Sequence, residues 1–169
     1  NASNKNIIYL PDSFHGDYRT GPHREMDDLR YYSVQKKIIN FNNKILIKKH
    51  PKELQEHLIK KNTIYKKLKF KKNKITKHRL DDLLSNYKVF IIDRISQSFF
   101  EIAKTNAKIL YMNMGRRKIR KEILKLIKNR AHVVNINPDN LKKKELNNYI
   151  RKATNFKIKN YKILKKCNL

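Results

Sequence analysis

The sequence predicts an α/β domain, a single Rossmann-like, doubly wound parallel sheet of about six strands with helices on both faces. Three observations carry that expectation. Short apolar runs alternate with amphipathic stretches about six times along 169 residues, a rhythm that calls for parallel strands joined by crossover helices. The run KVFIID (88–93) is apolar on both of its faces, as a central strand must be. Finally, the polar motifs DSFHG, HP and DRISQS each follow an expected strand. In open parallel sheets ligands sit beyond the carboxyl ends of the strands, so three such loops belong on one rim.

Each element has a local reason. NIIYL (6–10) is a β-branched run stopped by Pro11, hence a strand and then a loop. The loop DSFHGDYRTGPHRE (12–25) holds two of the three glycines, Gly16 and Gly21, which permit tight turns. From Asp27 the apolar positions Leu29, Tyr32, Ile38, Ile39 and Phe41 read as a helix facing a sheet. KILIKKHP (44–51) gives a second strand ending at His50-Pro51, and ELQEHLIKK (53–61) the next helix. IYKKLKF (64–70) reads as an edge-like third strand with lysines outward. RLDDLLSNY (79–87) is a short amphipathic helix, KVFIID the central strand, and SQSFFEIAKTN (96–106) a helix. KILYMN (108–113) and AHVVNI (131–136) are strands. Between them GRRKIRKEILKLIKNR (115–130) is amphipathic, with Ile119, Ile123, Leu126 and Ile127 inward. NPDNLKKKELNNYIRKA (137–153) is a last core helix, capped by Asn137 or Asp139.

A chain of this length buries roughly two-thirds of its unfolded surface in one domain. Residues 1–5 read as a tag or linker, 6–154 as the domain, and 155–169 as a basic helix or arm. The opening Asn-Ala-Ser suggests a piece of a longer protein, one domain of two. A single cysteine, Cys167, offers neither a disulfide framework nor a cysteine metal site. No apolar run approaches the roughly 20 residues of a membrane span, and the expected location is the cytoplasm. The net charge is +28, which points towards polyanions. The lysines are spread along nearly every segment, however, with few of the arginines or exposed aromatics that read bases. General lysine enrichment explains the charge without specific nucleic-acid binding.

The chemistry gathers in the loops. Ser96 and Ser98, with the N–H groups around Gln97 and Phe99, stand where a helix begins and could cradle phosphate oxygens. The plainer role for either serine is an N-cap. Glu101, three residues after Ser98, could close a capping box or accept from sugar hydroxyls. His50 can donate to a phosphate or neutralise a leaving diphosphate, although a lone histidine is more often a surface residue. The first loop adds His15, Arg19, His23 and Arg24. No G-x-x-x-x-G-K-[ST], G-x-G-x-x-G or G-x-S-x-G is present, and the histidines and carboxylates lack metal-site spacing.

Taken in order, YLPDSFHGDYR, KKHP and IIDRISQSFFEIAKTNAKILYMN resemble the carboxyl-terminal half of GT-B-type glycosyltransferases of bacterial surface polysaccharides. CDP-glycerol glycerophosphotransferases and capsule sugar transferases are more distant kin. The family's K-x-H-P segment is matched by Lys48, His50 and Pro51, and its D-x-x-S-[ST]-x-x-x-[ED] segment by Asp93, Ser96 and Glu101. The resemblance spans residues 6 to about 136. Gln97 stands where Ser or Thr is usual, and Arg94-Ile95 replace a small or proline-bearing linker. The resemblance implies a domain that binds a nucleotide-activated donor as substrate, with no cofactor required. An amino-terminal domain outside this chain would bind the acceptor, and the fragment alone would not turn over. Candidate catalytic residues are His50 and Glu101. Candidate donor-binding residues are Ser13, His15, Gly16, Arg19, Lys48, Asp93, Ser96, Gln97 and Ser98. Such an enzyme would work at the inner face of the plasma membrane, where basic helices could touch anionic lipid. The alternative is a non-enzymatic basic module that binds RNA or an anionic membrane.

Overall fold

Four consecutive fully buried residues, Val89–Ile92, form the strand on which the rest of the chain is arranged. The computed structural model describes residues 7–12, 28–42, 44–49, 75–76, 78–115 and 118–159. In chain order the elements are β1 (Ile7–Leu10), α1 (Asp28–Phe41), β2 (Ile45–Lys48), β3 (Ile75–Thr76), α2 (Leu80–Asn86) and β4 (Val89–Ile92). They continue with α3 (Gln97–Ala103), β5 (Lys108–Asn113), α4 (Lys121–Arg130), β6 (His132–Asn135) and α5 (Lys143–Thr154).

The six strands make one sheet in the order β3-β2-β1-β4-β5-β6, and every neighbouring pair is parallel. This is the doubly wound order, in which the chain steps outward twice and then returns to build the other half. The reversal falls between β1 and β4, which pair in register from Ile7↔Val89 to Leu10↔Ile92.

Strand side chains alternate between two faces. Tyr9, Ile91, Leu110 and Met112 point to one core, closed by Tyr31, Val34, Ile38 and Ile39 of α1 and by Leu146, Ile150 and Ala153 of α5. Ile8, Leu10, Phe90, Ile92, Ile109 and Tyr111 point to the other, closed by Leu83, Phe99, Ile102 and Ile127. A strand that feeds two cores must be apolar throughout, which is why KVFIID shows no alternation.

Several local expectations shift. On α1 the inward stripe is Tyr31, Val34, Gln35, Ile38 and Ile39, while Leu29 is 59% exposed. On α4 Ile127 is buried and Leu126 half-buried, but Ile123 is 45% exposed, and Ile119 packs against the core from outside the helix. Neither Asn137 nor Asp139 caps α5. Asn137 organises a turn, its carbonyl and amide oxygens taking the N–H groups of Asn140 and Asp139. The helix begins after Lys142, whose N–H donates to Glu145 at 3.1 Å. The third strand is Ile75–Thr76; IYKKLKF and ELQEHLIKK lie outside the described residues. Residues 156–159 are not helical and run back onto the body, with the Lys159 N–H donating to the Asn129 carbonyl. No helix among the described residues is long and apolar enough to cross a membrane.

Candidate functional site

The strands β1 and β4 end side by side, and their exit loops are laced together. The buried Asp93 carboxylate accepts from the Tyr9 hydroxyl at 2.5 Å, the Tyr31 hydroxyl at 2.6 Å and the Asp12 N–H at 2.8 Å. The Asp12 carboxylate in turn takes Nη1 of Arg94 at 2.6 Å. Each loop thus holds the other, one through an N–H and one through an ion pair. Burial, followed by the charge of Asp93, pushes the Tyr9 phenol well above its ordinary range, so its proton stays available for the bond.

Beyond this knot lies a cleft of about 210 Å3. Its walls are Leu10, Pro11 and Asp12 from the exit of β1, Lys48 and Lys49 from β2, and Ile92, Arg94, Ser96, Gln97 and Ser98 from β4 and the start of α3. Three cations face one carboxylate there, and that carboxylate is already paired with Arg94. The Lys48 ammonium donates to the His78 carbonyl at 2.8 Å, and its partial burial lowers its pKa below the usual lysine range. An ammonium has three donors, so that bond leaves it able to serve a ligand. Ser96 occupies the N-cap position of α3 in extended conformation, yet its hydroxyl makes no capping bond. The volume lies below the ~300 Å3 lower end of drug-sized pockets. It suits a phosphate-sized group rather than a whole nucleotide.

A second, smaller cleft of about 100 Å3 opens on the other side of Arg94, towards β5. Asp12, Asp93 and Arg94 are shared with the knot, and Tyr111, Asn113 and Lys118 complete the polar lining. Burial first, and then Asp93, push the Tyr111 phenol up to about 12. Gly115, at φ 74°, makes the left-handed turn just after β5, its N–H donating to Asn113 Oδ1 at 3.2 Å.

The structure brings Lys48, Ser96, Gln97 and Ser98 together at one cleft. Asp93 stands beneath it, its oxygens turned to the two tyrosines and the Asp12 N–H. Glu101 sits a turn further along α3, half-buried, and is not among the cleft's lining residues. With Ser96 as the N-cap, Glu101 is also out of reach of a capping box, whose partner would be the third helical residue, Phe99. Since α3 has only seven residues, the Lys48, Lys49 and Arg94 charges outweigh its dipole. Ser13, His15, Gly16, Arg19, His23, Arg24 and His50 lie outside the described residues.

Three polar residues of the cleft escaped the sequence reading, Asp12, Lys49 and Arg94. Asp12 opens the DSFHG motif directly after Pro11, and Arg94 is the departure from the family linker. Asp12 is the first polar residue past β1, Lys49 the first past β2 and Arg94 the second past β4, and that position was the available signal. No family model, curated protein or solved structure matches this chain.

Proposed function

We propose that this chain is the donor-binding half of a GT-B-type transferase, moving a sugar or polyol phosphate from a nucleotide-activated donor to a cell-surface glycan. One observation supports it above the rest: Lys48, Lys49, Arg94, Ser96 and Ser98 converge on one cleft at the carboxyl rim, beside the β1/β4 reversal. That is the place and the chemistry for a nucleotide phosphate. In this reading Lys48 and Arg94 balance charge that grows on the leaving phosphate, the serine hydroxyls orient its oxygens, and Asp93 positions the Asp12–Arg94 pair. His50, next in the chain after Lys49, enters by sequence alone as a further donor to the leaving group.

Titration calorimetry of the full-length protein with CDP-, UDP- and GDP-linked donors at physiological salt tests the proposal. One donor should saturate the protein, and Lys48→Met should weaken it about tenfold or more, the loss expected of a charged hydrogen bond. Absence of saturable binding by any of the three would sink the proposal. A second reading, a basic module for RNA or anionic lipid, rests on the net charge of +28. It requires binding to any polyanion with a steep salt slope and indifference to Lys48→Met.

A further inference from the structure

Arg94 is the wall between two clefts whose electrostatics differ. On the β2 side Lys48 and Lys49 join it against the single carboxylate of Asp12. On the β5 side Arg94 and Lys118 face Asp12 and Asp93, so formal charges cancel. A balanced site has no net attraction for a second phosphate. It does present mixed donors and acceptors: the phenol of Tyr111, the amide of Asn113, the ammonium of Lys118 and the carboxylate of Asp12. Hydroxyl groups both donate and accept, and are served by such a mixture. Because the Tyr111 phenol is pushed up to about 12, its proton is retained across the physiological range. A volume of about 100 Å3 limits the occupant to a small fragment, and the mixed polar lining favours a hydroxylated one.

We infer that the cleft bounded by Arg94, Tyr111, Asn113 and Lys118 is a second subsite, which takes the hydroxylated portion of an organic phosphate whose phosphate group lies against Lys48 and Ser96. This rests on the proposed reading of the first cleft as a phosphate site and adds where the organic part goes. Arg94 and Asp12, paired with each other, border both clefts and join the two halves. The Arg94 Nε is buried with no hydrogen-bond partner among the described residues, a donor that an ester or hydroxyl oxygen at the boundary would satisfy.

The test compares two monoesters of the same charge, ethyl phosphate and ribose 5-phosphate, by amide-shift titration of the isotopically labelled full-length protein. Both should move the amides of Ser96, Gln97 and Ser98. Ribose 5-phosphate alone should also move Ile95, Asn113 and Lys118, and it should bind about tenfold more tightly. Tyr111→Phe, which keeps the ring that fills the core, should remove most of that preference and leave ethyl phosphate unchanged. Lys118→Met, on an exposed side chain, should do the same in part. Equal affinity of the two esters, or a preference that survives both substitutions, overturns the second subsite alone. If neither ester moves Ser96 to Ser98, the phosphate reading of the first cleft fails and the second subsite falls with it.

Discussion

At the end of β4 a carboxylate is buried among two phenols and a backbone N–H, which folding tolerates because those donors are in place. Asp93 has the residue type and position of a ligand-binding acid, and the fold has absorbed it to tie the exits of β1 and β4. Asp93→Ala would leave the Tyr9 and Tyr31 hydroxyls and the Asp12 N–H without that acceptor. The Tyr31 hydroxyl keeps the Asp12 carbonyl at 3.2 Å, so at ~1 kcal/mol or more for each of the other two groups the loss is about 2 kcal/mol. In a domain of this size that lowers Tm by roughly 4–8 °C. Asp93→Asn keeps one acceptor oxygen and should lose less. Thermal unfolding of both variants checks the order, and equal stability of Asp93→Ala and wild type would refute the knot. Asp12 illustrates the converse: an aspartate given no role of its own in the sequence becomes the counter-charge that keeps Arg94 at the cleft.

Helix α3 brings Ser98 to the cleft, yet seven residues are too few to be stable alone. Phe99, Ile102 and Ala103 anchor one side of it in the core. Its far end is held by Arg130, a guanidinium only 1% exposed, at the last turn of α4. Arg130 Nε donates to the Ala103 carbonyl at 3.0 Å, and Nη2 reaches the carbonyls of Ile102, Thr105 and Ala107 at 3.1, 2.8 and 2.8 Å. The helix's terminal carbonyls thus find a buried cation where the dipole is negative. Arg130→Met should destabilise the protein by about 3 kcal/mol, since several carbonyls lose a charged donor together. Urea unfolding measures the loss, and hydrogen exchange at Lys104 and Thr105 should speed up more than exchange in β4. Unchanged exchange there would show that α3 stands without the arginine. At the opposite edge Arg30 clasps Asp139 through two hydrogen bonds and Lys37 donates to the Asp139 carbonyl at 2.9 Å, fastening α1 to the turn before α5. That pair is exposed and contributes little on its own.

Across the whole molecule a net charge of +28 makes acid hostile to the compact state, because protonation only adds to the repulsion. His132 on β6 sharpens this. Its ring lies 6.3 Å from that of Phe156, and burial, then the charge of Lys152, holds its pKa below the ordinary value. The unfolded chain takes up the proton near pH 6.5 while the folded one resists. Stability is therefore complete above about that pH and is lost as pH falls through the folded value. His132 Nε2 has no hydrogen-bond partner among the described residues, so His132→Phe orphans nothing there. The variant should match or exceed wild type at pH 7.5, with a gap that widens on acidification to pH 5. A gap independent of pH would mean that His132 does not titrate with folding.

The α/β class, the central strand and the identity of most elements were legible from apolar runs and their period, because burial on both faces of a sheet leaves a local imprint. KILYMN became β5 residue for residue. Lys48, Ser96, Gln97 and Ser98 could be picked out because each lies at the end of a strand or at the start of a helix. The direction of Leu29 and Ile123, the turn at Asn137, the burial of Gln35 and Arg130, and the roles of Asp93, Asp12 and Arg94 were not legible. Except for the turn at Asn137, which is local but lies where a cap was expected, these depend on residues distant in the chain, 81 to 84 residues away for the bonds joining β1 to β4. Local chemistry told this protein what its pieces are. Only packing decided which of its charges face a ligand and which face one another, since a buried charge takes its role from the neighbours that the strand order brings to it.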